Sequence, residues 1–140
     1  MKFVIVVLFA LVALQSASAK IFTRCDLAKE LQRQGFARAT LENWVCLVES
    51  ESSRNTAVKG GPNSNGSYDW GLYQINDGFW CKPGAVGGDC NARCESFITD
   101  DITLASTCAK LIYARHGYKA WYGWTAKCQG ALPDLSSCGL

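Results

Sequence analysis

In three stretches of the chain, apolar residues recur at three- and four-residue spacing, as on one face of an amphipathic helix. The first stretch follows Thr23, an N-cap with Asp26 as its capping-box partner, and ends near Gly35. The second follows Thr40, another candidate N-cap, and ends within residues 52–55. The apolar faces of these two predicted helices contain Leu27, Ala28, Leu31, Leu41, Trp44, Val45 and Val48.

The third predicted helix begins after Thr99, with the acidic pair 100–101 in its first turn, where negative charge favours the helix dipole. Arg115 and His116 suit its C-terminal end, and Gly117 suits its stop. Its apolar face contains Ile102, Ala105, Cys108, Ala109 and Ile112.

The segment between the second and third helices, "KGGPNSNGSYDWGLYQIND" over residues 59–77, is first rich in Gly, Asn and Ser and then β-prone. Asn65-Gly66 is a strong hairpin signal, so we predict a small antiparallel sheet within residues 56–76, followed by a cysteine-rich loop through Cys94. Asn65 also begins a glycosylation sequon with Ser67, but we prefer the hairpin interpretation. Helices on both sides of a small sheet predict an α+β fold.

The N-terminus has the pattern of a secretory signal peptide over residues 1–19. Lys2 precedes an unbroken apolar run of twelve residues, and Ala17-Ser18-Ala19 supplies the small residues of a cleavage site after Ala19. A membrane anchor is the alternative, but the run is too short to span a bilayer. We therefore expect a secreted, extracellular protein with a single domain over residues 20–140.

All eight cysteines lie after this segment, and an even number in a secreted chain predicts four disulfides, although spacing alone leaves their pairing open. A zinc site is disfavoured because the chain has no C-x-x-C pair and a single histidine, His116. Without Lys2, 13 Lys and Arg residues face 12 Asp and Glu residues, a net charge of +1. No basic stripe indicates a nucleic-acid partner, and no cationic cluster indicates a membrane-lytic protein.

Two glutamates near the end of the second predicted helix have different neighbours. On a helix, Glu51 lies over Leu47 and Val48, whereas the strip that contains Glu49 also carries the charged Glu42. We therefore expect Glu51 to face an apolar environment that raises its pKa, and Glu49 to face water. The alternative is that both are ordinary solvated carboxylates at a frayed helix end.

A further carboxylate, Asp69, lies on or beside the predicted hairpin among many hydrogen-bonding side chains, which favour its ionised form. One proton-holding acid and one ionised carboxylate across a cleft form the pattern of glycoside cleavage. The alternative is a turn residue, a common role for Asp. The polar residues around Asp69 are Asn63, Ser64, Asn65, Ser67, Gln74 and Asn76.

Aromatic residues add to this pattern, because Trp and Tyr offer flat apolar faces to sugar rings and polar atoms to hydroxyls. Most must form the core, and one or two at a cleft rim would suffice for binding. A Ser or Cys nucleophile is disfavoured without a second histidine, and N-capping explains the acidic pair 100–101 better than calcium does. The aromatic residues are Trp70, Tyr73, Phe79, Trp80, Trp121, Tyr122 and Trp124.

These residues together resemble the chicken-type (c-type) lysozyme family, and its insect members most of all. The resemblance rests on "NWVCLVESESSRNT", "NGSYDWGLYQIN", "FWC" and "DDITLASTCAKLI" followed by "AWYGW", and it covers the chain from Lys20 onward with all eight cysteines in order. This family is the type example of the two-carboxylate pattern. It implies a helical lobe and a small antiparallel β-sheet lobe, over about residues 56–97, with an active-site cleft between them.

The resemblance also implies roles for individual residues. Glu51, five residues after the second cysteine, matches the proton donor, and Asp69 matches the second carboxylate. The resemblance implies that Gln74 and Ser67 hold Asp69 and line the floor of the cleft, and that Trp121 covers the acid. The other implied substrate-binding residues are Asn76, Phe79, Trp80 and Ala120, and the implied disulfides are Cys25–Cys138, Cys46–Cys128, Cys81–Cys94 and Cys90–Cys108.

The implied function is a retaining glycoside hydrolase that cleaves β-1,4 bonds between N-acetylmuramic acid and N-acetylglucosamine in peptidoglycan. Chitin oligosaccharides are a further candidate substrate, and defence and digestion are both open as roles. We expect a monomer with no cofactor, no metal and no stable membrane insertion. The alternative is a non-catalytic lysozyme-like protein that binds sugars or regulates.

Overall fold

The computed structural model describes residues 20–140, so the predicted signal peptide and its cleavage after Ala19 lie outside the described residues. The four α-helices of the described residues are α1 (Arg24–Arg33), α2 (Leu41–Ser52), α3 (Thr103–His116) and α4 (Tyr122–Lys127). The strands are β1 (Lys59–Gly60), β2 (Asp69–Trp70) and β3 (Ile75–Asn76), in one antiparallel sheet of that order. The predicted α+β fold is therefore confirmed. Within residues 20–140, no helix is both long and apolar enough to cross a membrane.

The helix boundaries agree with the sequence pattern except at the N-terminus of α3, and α2 begins as predicted but lacks the expected cap bond. Thr23 caps α1, since its hydroxyl accepts a hydrogen bond from the Asp26 main-chain N–H at 3.1 Å. Thr40 was expected to cap α2, but its hydroxyl donates to the Ala37 carbonyl at 2.8 Å and leaves the helix without a side-chain cap. The short 3₁₀ turn that leads into α2 uses this hydroxyl, and the hydrophobic pattern gives no sign of such a turn.

Helix α3 begins four residues later than the predicted cap, Thr99. The Thr99 hydroxyl lies in the preceding turn and donates to the Ser96 and Asp101 carbonyls. Asp101 instead accepts a 2.9 Å bond from the Thr103 main-chain N–H, because its carboxylate stands next to the first turn of the helix. The predicted C-terminal end is confirmed, with Gly117 at a φ of +68°.

The Asn65-Gly66 turn lies at the tip of a loop over residues 61–68, rather than joining two strands directly as the hairpin signal predicted. Gly66 N–H donates to the Asn63 carbonyl and Asn63 N–H to the Ser67 carbonyl, each at 2.8 Å. The strands beyond the loop pair Gly60 with Asp69 and Asp69 with Asn76. This register brings Asn76 directly beside Asp69.

Three hydrogen bonds attach the β2–β3 turn to the helices. The buried Ser52 hydroxyl at the end of α2 donates to the Leu72 carbonyl at 2.7 Å. The indole N–H of Trp121 donates to the Tyr73 carbonyl at 2.8 Å, and the Tyr73 hydroxyl bonds to Ser106 of α3 at 2.8 Å. The sheet is therefore fixed against the end of α2, the first turn of α3 and the residue before α4.

Four disulfides connect the described chain, with the pairing that the family resemblance implies. Cys46–Cys128 joins α2 to the residue after α4, across 82 residues of sequence. By the chain-entropy model, such a closure stabilises the fold by about 4–5 kcal/mol. The other pairs are Cys25–Cys138, Cys81–Cys94 and Cys90–Cys108.

Candidate active site

Glu51 lies in the last turn of α2, against the start of α4. Burial raises the pKa of its carboxyl group; the negative charge of Asp69 raises this pKa further, whereas a hydrogen bond from Gly123 N–H, 2.9 Å from Oε1, acts to lower it. The raised pKa of Glu51 agrees with the apolar environment that was expected for this glutamate. Its carboxyl group is thus favoured to hold a proton at a pH where an exposed glutamate has lost it.

Gly123 permits the close approach of α4 to this carboxyl group. A Cβ atom at position 123 would lie 2.8 Å from Glu51 Oε1 and 3.1 Å from the Ser50 Cβ. Sequence reasoning missed Gly123, because it acts through its main-chain N–H and small size, which no side-chain motif reveals.

Glu49, two residues before Glu51, is held in an ion-pair cluster. Its carboxylate lies 3.1 Å from an Arg24 nitrogen and 3.2 Å from Arg54 Nε, and its side chain is 21% exposed. The expectation that it faces water is therefore wrong in part: it is only partly exposed, with two arginines beside it. The two cations come from α1 and from the turn after α2, contacts that helical spacing alone does not show.

Asp69 lies on β2 and accepts hydrogen bonds on both carboxylate oxygens. Asn76 Nδ2 donates to Oδ1 and Asn63 Nδ2 donates to Oδ2, each at 2.9 Å. The same two amides also donate to the Ser67 hydroxyl, at 2.9 and 3.1 Å. Ser67 therefore supports Asp69 through the asparagines, whereas the resemblance implied a direct contact.

Gln74 does not hold Asp69 as the resemblance implied. Its Nε2 donates to the Val58 and Gly71 carbonyls at 3.0 and 2.9 Å, so the amide closes the β2–β3 turn against the preceding loop. Its φ of +49° is unusual for a residue other than glycine, and these bonds compensate for that conformation. Gln74 nevertheless lines the same cleft as Asp69.

A cleft of about 290 Å³ brings the two carboxylates together. Glu51 forms part of its helical side and Asp69 part of its β-sheet side, as the predicted two-lobed fold requires. Tyr122, which sequence reasoning counted only as one aromatic among many, lines it with 85% of its surface exposed. The lining residues are Glu51, Asn63, Asp69, Gln74, Ile75, Asn76, Trp80, Ile112, Ala120, Trp121 and Tyr122.

A second cavity of about 570 Å³ shares Trp80 and Ala120 with this cleft and therefore continues it. Phe79 lies there with 72% of its surface exposed, whereas Trp80 is half-buried. The guanidinium of Arg115 lies 5.6 Å from the Trp80 ring centre. Of the predicted binding residues, Phe79 lines the second cavity, and Trp80 and Ala120 line both cavities. The others line the first cavity and are Gln74, Asn76 and Trp121.

Within residues 20–140 there is no group of three or more His, Cys, Asp or Glu side chains that could hold a metal ion. The eight cysteines are all in disulfides.

Comparison with known proteins agrees with this geometry. The model of the C-type lysozyme/alpha-lactalbumin family matches residues 20–138. Lysozyme from Bombyx mori is 58% identical to this chain, in an alignment that covers 94% of this chain and 97% of the relative. Lysozyme from Hyalophora cecropia is 53% identical, in an alignment that covers 98% of this chain and 99% of the relative. The crystal structure of lysozyme from Equus asinus aligns with a TM-score of 0.73 at 37% identity, covering 86% of this chain and 100% of its own.

The predicted similarity to insect members is confirmed, since these two insect relatives share more residues with the chain than the Equus asinus protein does. Because the relatives are lysozymes, a glycoside hydrolase is favoured over the non-catalytic alternative. The chain therefore belongs to the C-type lysozyme/alpha-lactalbumin family, and it is a lysozyme-type glycoside hydrolase.

Proposed function

We propose that this enzyme cleaves the β-1,4 bond between N-acetylmuramic acid and N-acetylglucosamine in bacterial peptidoglycan, with retention of configuration. The observation that carries the proposal is the contrast between two carboxyl groups in one cleft: burial raises the pKa of Glu51, whereas two amides donate to Asp69. The C-type lysozyme family is itself the type example of this chemistry, so the proposal transfers the family mechanism to these residues.

In the first step, Glu51 donates its proton to the glycosidic oxygen, and the bond to the leaving sugar breaks. Asp69 attacks the anomeric carbon and forms a covalent glycosyl intermediate. In the second step, the Glu51 carboxylate takes a proton from a water molecule, which attacks the same carbon and releases Asp69. Glu51 ends the cycle protonated, so neither carboxyl group is consumed.

The asparagines fix Asp69 for attack. Each oxygen accepts one amide hydrogen bond, so rotation of the carboxylate would break two bonds at once. The side chain of Asn76 is fully used, because its Oδ1 also accepts a bond from the Gly78 main-chain N–H at 2.8 Å. We therefore expect Asn76 to contact an acetamido group through its main chain, together with Ala120.

Sugar rings are expected to stack on Phe79 and on the uncovered part of Trp80. The guanidinium carbon of Arg115 lies 5.6 Å from the Trp80 ring centre, and the His116 ring centre lies 5.8 Å from it. Both side chains therefore restrict access to the Trp80 ring. Phe79 has no N–H or O–H group, so it adds apolar contact but no hydrogen bond to a sugar hydroxyl. Trp121 is buried and serves to keep the cleft apolar near Glu51.

The biological setting follows from the sequence pattern and from the family. We infer a secreted monomer, released after Ala19, that acts on cell walls outside the cell. The net charge of +1 gives little long-range attraction to anionic walls, which is compatible with digestion of bacteria as well as with defence. Chitin oligosaccharides share the β-1,4-linked N-acetylglucosamine unit and are expected to be poorer substrates.

The test is the clearing of a bacterial cell-wall suspension by the wild type, Glu51→Gln and Glu49→Gln. We expect Glu51→Gln to lose at least about a hundredfold in rate, because general acid catalysis contributes about 10²–10⁴-fold. Glu49→Gln is the matched control two residues away, and it should clear the suspension once it is shown to be folded. Equal activity of Glu51→Gln and wild type would remove the proposal.

A further inference from the structure

The cleft carries opposite charges in its two parts. Among the described residues that line the first cavity, Glu51 and Asp69 are the carboxylic acids, and none is Lys, Arg or His. In the second cavity, the described lining residues include the cations Arg115 and Lys119 and the anion Asp89, an excess of one positive charge before His116 is counted. A negatively charged substituent of a bound glycan is therefore attracted at the second cavity.

Arg115 is held in place before any ligand binds. Its Nη1 lies 2.5 Å from Asp89 Oδ2, and its guanidinium lies over the Trp80 ring. Asp89 is in turn fixed to the aromatic pair, because its main-chain N–H donates to the Phe79 carbonyl at 2.9 Å. The cation is thus attached to the surface on which sugar rings are expected to stack, so little side-chain entropy is lost when it meets an anion.

Lys119 is the second cation, in the 3₁₀ turn Tyr118–Ala120 directly before the substrate-lining Ala120. It is exposed and has no ion pair within the described residues 20–140. Arg115 shares its charge with Asp89, whereas no carboxylate of the described residues lies within ion-pair distance of Lys119. An incoming anion therefore meets an available ammonium group at the edge of the cavity.

We propose that the second cavity binds carboxylate groups of the glycan, and that Arg115 and Lys119 thereby make the enzyme select anionic strands over neutral chitin oligosaccharides. The inference rests on the proposed function and assigns a specificity to the same cleft. The carboxylate comes either from the lactyl group of N-acetylmuramic acid or from a peptide attached to it. Chitin has neither group, so it gains no charge attraction from Arg115 and Lys119 in the second cavity.

The experiment compares kcat/KM for three soluble substrates of equal sugar number. They are a chitin oligosaccharide, an alternating N-acetylglucosamine–N-acetylmuramic acid oligosaccharide with free lactyl carboxylates, and the same oligosaccharide with peptides attached. The measured quantity is the selectivity, which is the ratio of kcat/KM for each anionic substrate to that for chitin. The response of the lactyl and the peptide substrates identifies which carboxylate is bound.

Two substitutions should move the selectivity in opposite directions. Lys119→Glu reverses one charge and should lower the selectivity by about tenfold. The substitution replaces one exposed attraction to the substrate carboxylate by a repulsion. Asp89→Asn removes the competing anion and should raise the selectivity by about threefold. Both effects should shrink in about 0.5 M salt, because exposed charges are then screened.

The matched control is Lys127→Glu, which changes the net charge equally but lies in a different groove, with Glu49 and Asp134. It should leave the selectivity unchanged, which excludes long-range attraction as the cause. If the wild type hydrolyses all three substrates and both Lys119→Glu and Asp89→Asn keep its selectivity, this inference is overturned and the proposed function stands. A folded wild type that hydrolyses none of them would overturn the proposed function.

Discussion

Glu51 and Asp69 line one cleft, but the two lobes hold them by different means. Glu51 sits at the end of a largely buried helix, and burial is the largest influence on its pKa. Asp69 sits on a two-residue strand and depends on side-chain amides from the loop before it and the strand after it. The acid is tuned by exclusion of water, whereas the second carboxylate is oriented by hydrogen bonds.

The two carboxyl groups therefore stand in unlike surroundings within one cleft. Burial raises the pKa of Glu51, whereas two amide donors fix the orientation of the Asp69 carboxylate. The covalent framework follows the same division, since Cys46–Cys128 fixes the helices beside Glu51, while Cys81–Cys94 closes the loop that follows the sheet. Perturbing each side separately should therefore have separable consequences.

The largest expected effect comes from opening the apolar side with Trp121→Leu. The smaller side chain leaves a cavity and removes the bond to the Tyr73 carbonyl, which should lower the free energy of unfolding by about 2–4 kcal/mol. Water entering beside Glu51 should lower its pKa, so the alkaline limb of the pH profile of kcat/KM should move to lower pH.

Trp124→Leu is the matched control for this substitution, since Trp124 donates to Asn43 and stacks on Tyr118, and does not line the cleft. It should destabilise the protein without moving the alkaline limb. If Trp121→Leu leaves the limb in place while destabilising the fold, burial by Trp121 is not what raises the pKa of Glu51.

The next effect comes from the hydrogen-bonded side, with Asn63→Ala. Loss of an amide donor to a charged carboxylate should lower kcat by about tenfold or more, because such bonds contribute about 1.5–3 kcal/mol. The alkaline limb should stay in place, since the surroundings of Glu51 are unchanged. Asn65→Ala in the same loop removes an oxygen that accepts a bond from Ser67, which does not itself contact Asp69. This variant should therefore lose less kcat than Asn63→Ala. Equal losses in the two variants would argue that the loop as a whole, and not the Asn63 bond, positions Asp69.

The smallest expected effect is on stability, and it concerns the proton on Glu51. Because burial raises the pKa of Glu51, its contribution to stability is complete below the usual pKa of a glutamate and is lost as pH rises through the raised value. Glutamine is uncharged and can still accept the Gly123 hydrogen bond. Glu51→Gln should therefore melt at a higher temperature than wild type near neutral pH and at the same temperature near pH 3.

Glu49→Gln should melt at a lower temperature than wild type near neutral pH, because it weakens the ion pairs to Arg24 and Arg54. Thermal unfolding followed by circular dichroism across this pH range measures both variants. A Glu51→Gln protein that is less stable than wild type at neutral pH would show that the ionised carboxylate stabilises the fold, contrary to the burial argument.

The sequence pattern was sufficient for elements whose causes are local. The apolar spacing of α1, α2 and α3 predicted which faces are buried, and the neighbours of Glu51 predicted the direction of its pKa. The cap bond of Thr40 and the N-terminus of α3 were wrong because several polar side chains compete near a helix start, and their choice depends on turn geometry.

The tertiary structure alone decided how groups far apart in sequence meet. Helical spacing could not show that Arg24 and Arg54 converge on Glu49, that Gly123 N–H donates to Glu51, or that Ser67 supports Asp69 through two asparagines. The charge pattern of the second cavity likewise needs Asp89 and Arg115 to approach across 26 residues. The sequence by itself predicted the fold class, the buried helix faces and the number of disulfides, because periodicity and residue type act locally. The family resemblance implied the disulfide pairing and the roles of the two carboxyl groups. Their environments depend on long-range packing, and only the folded chain supplies it.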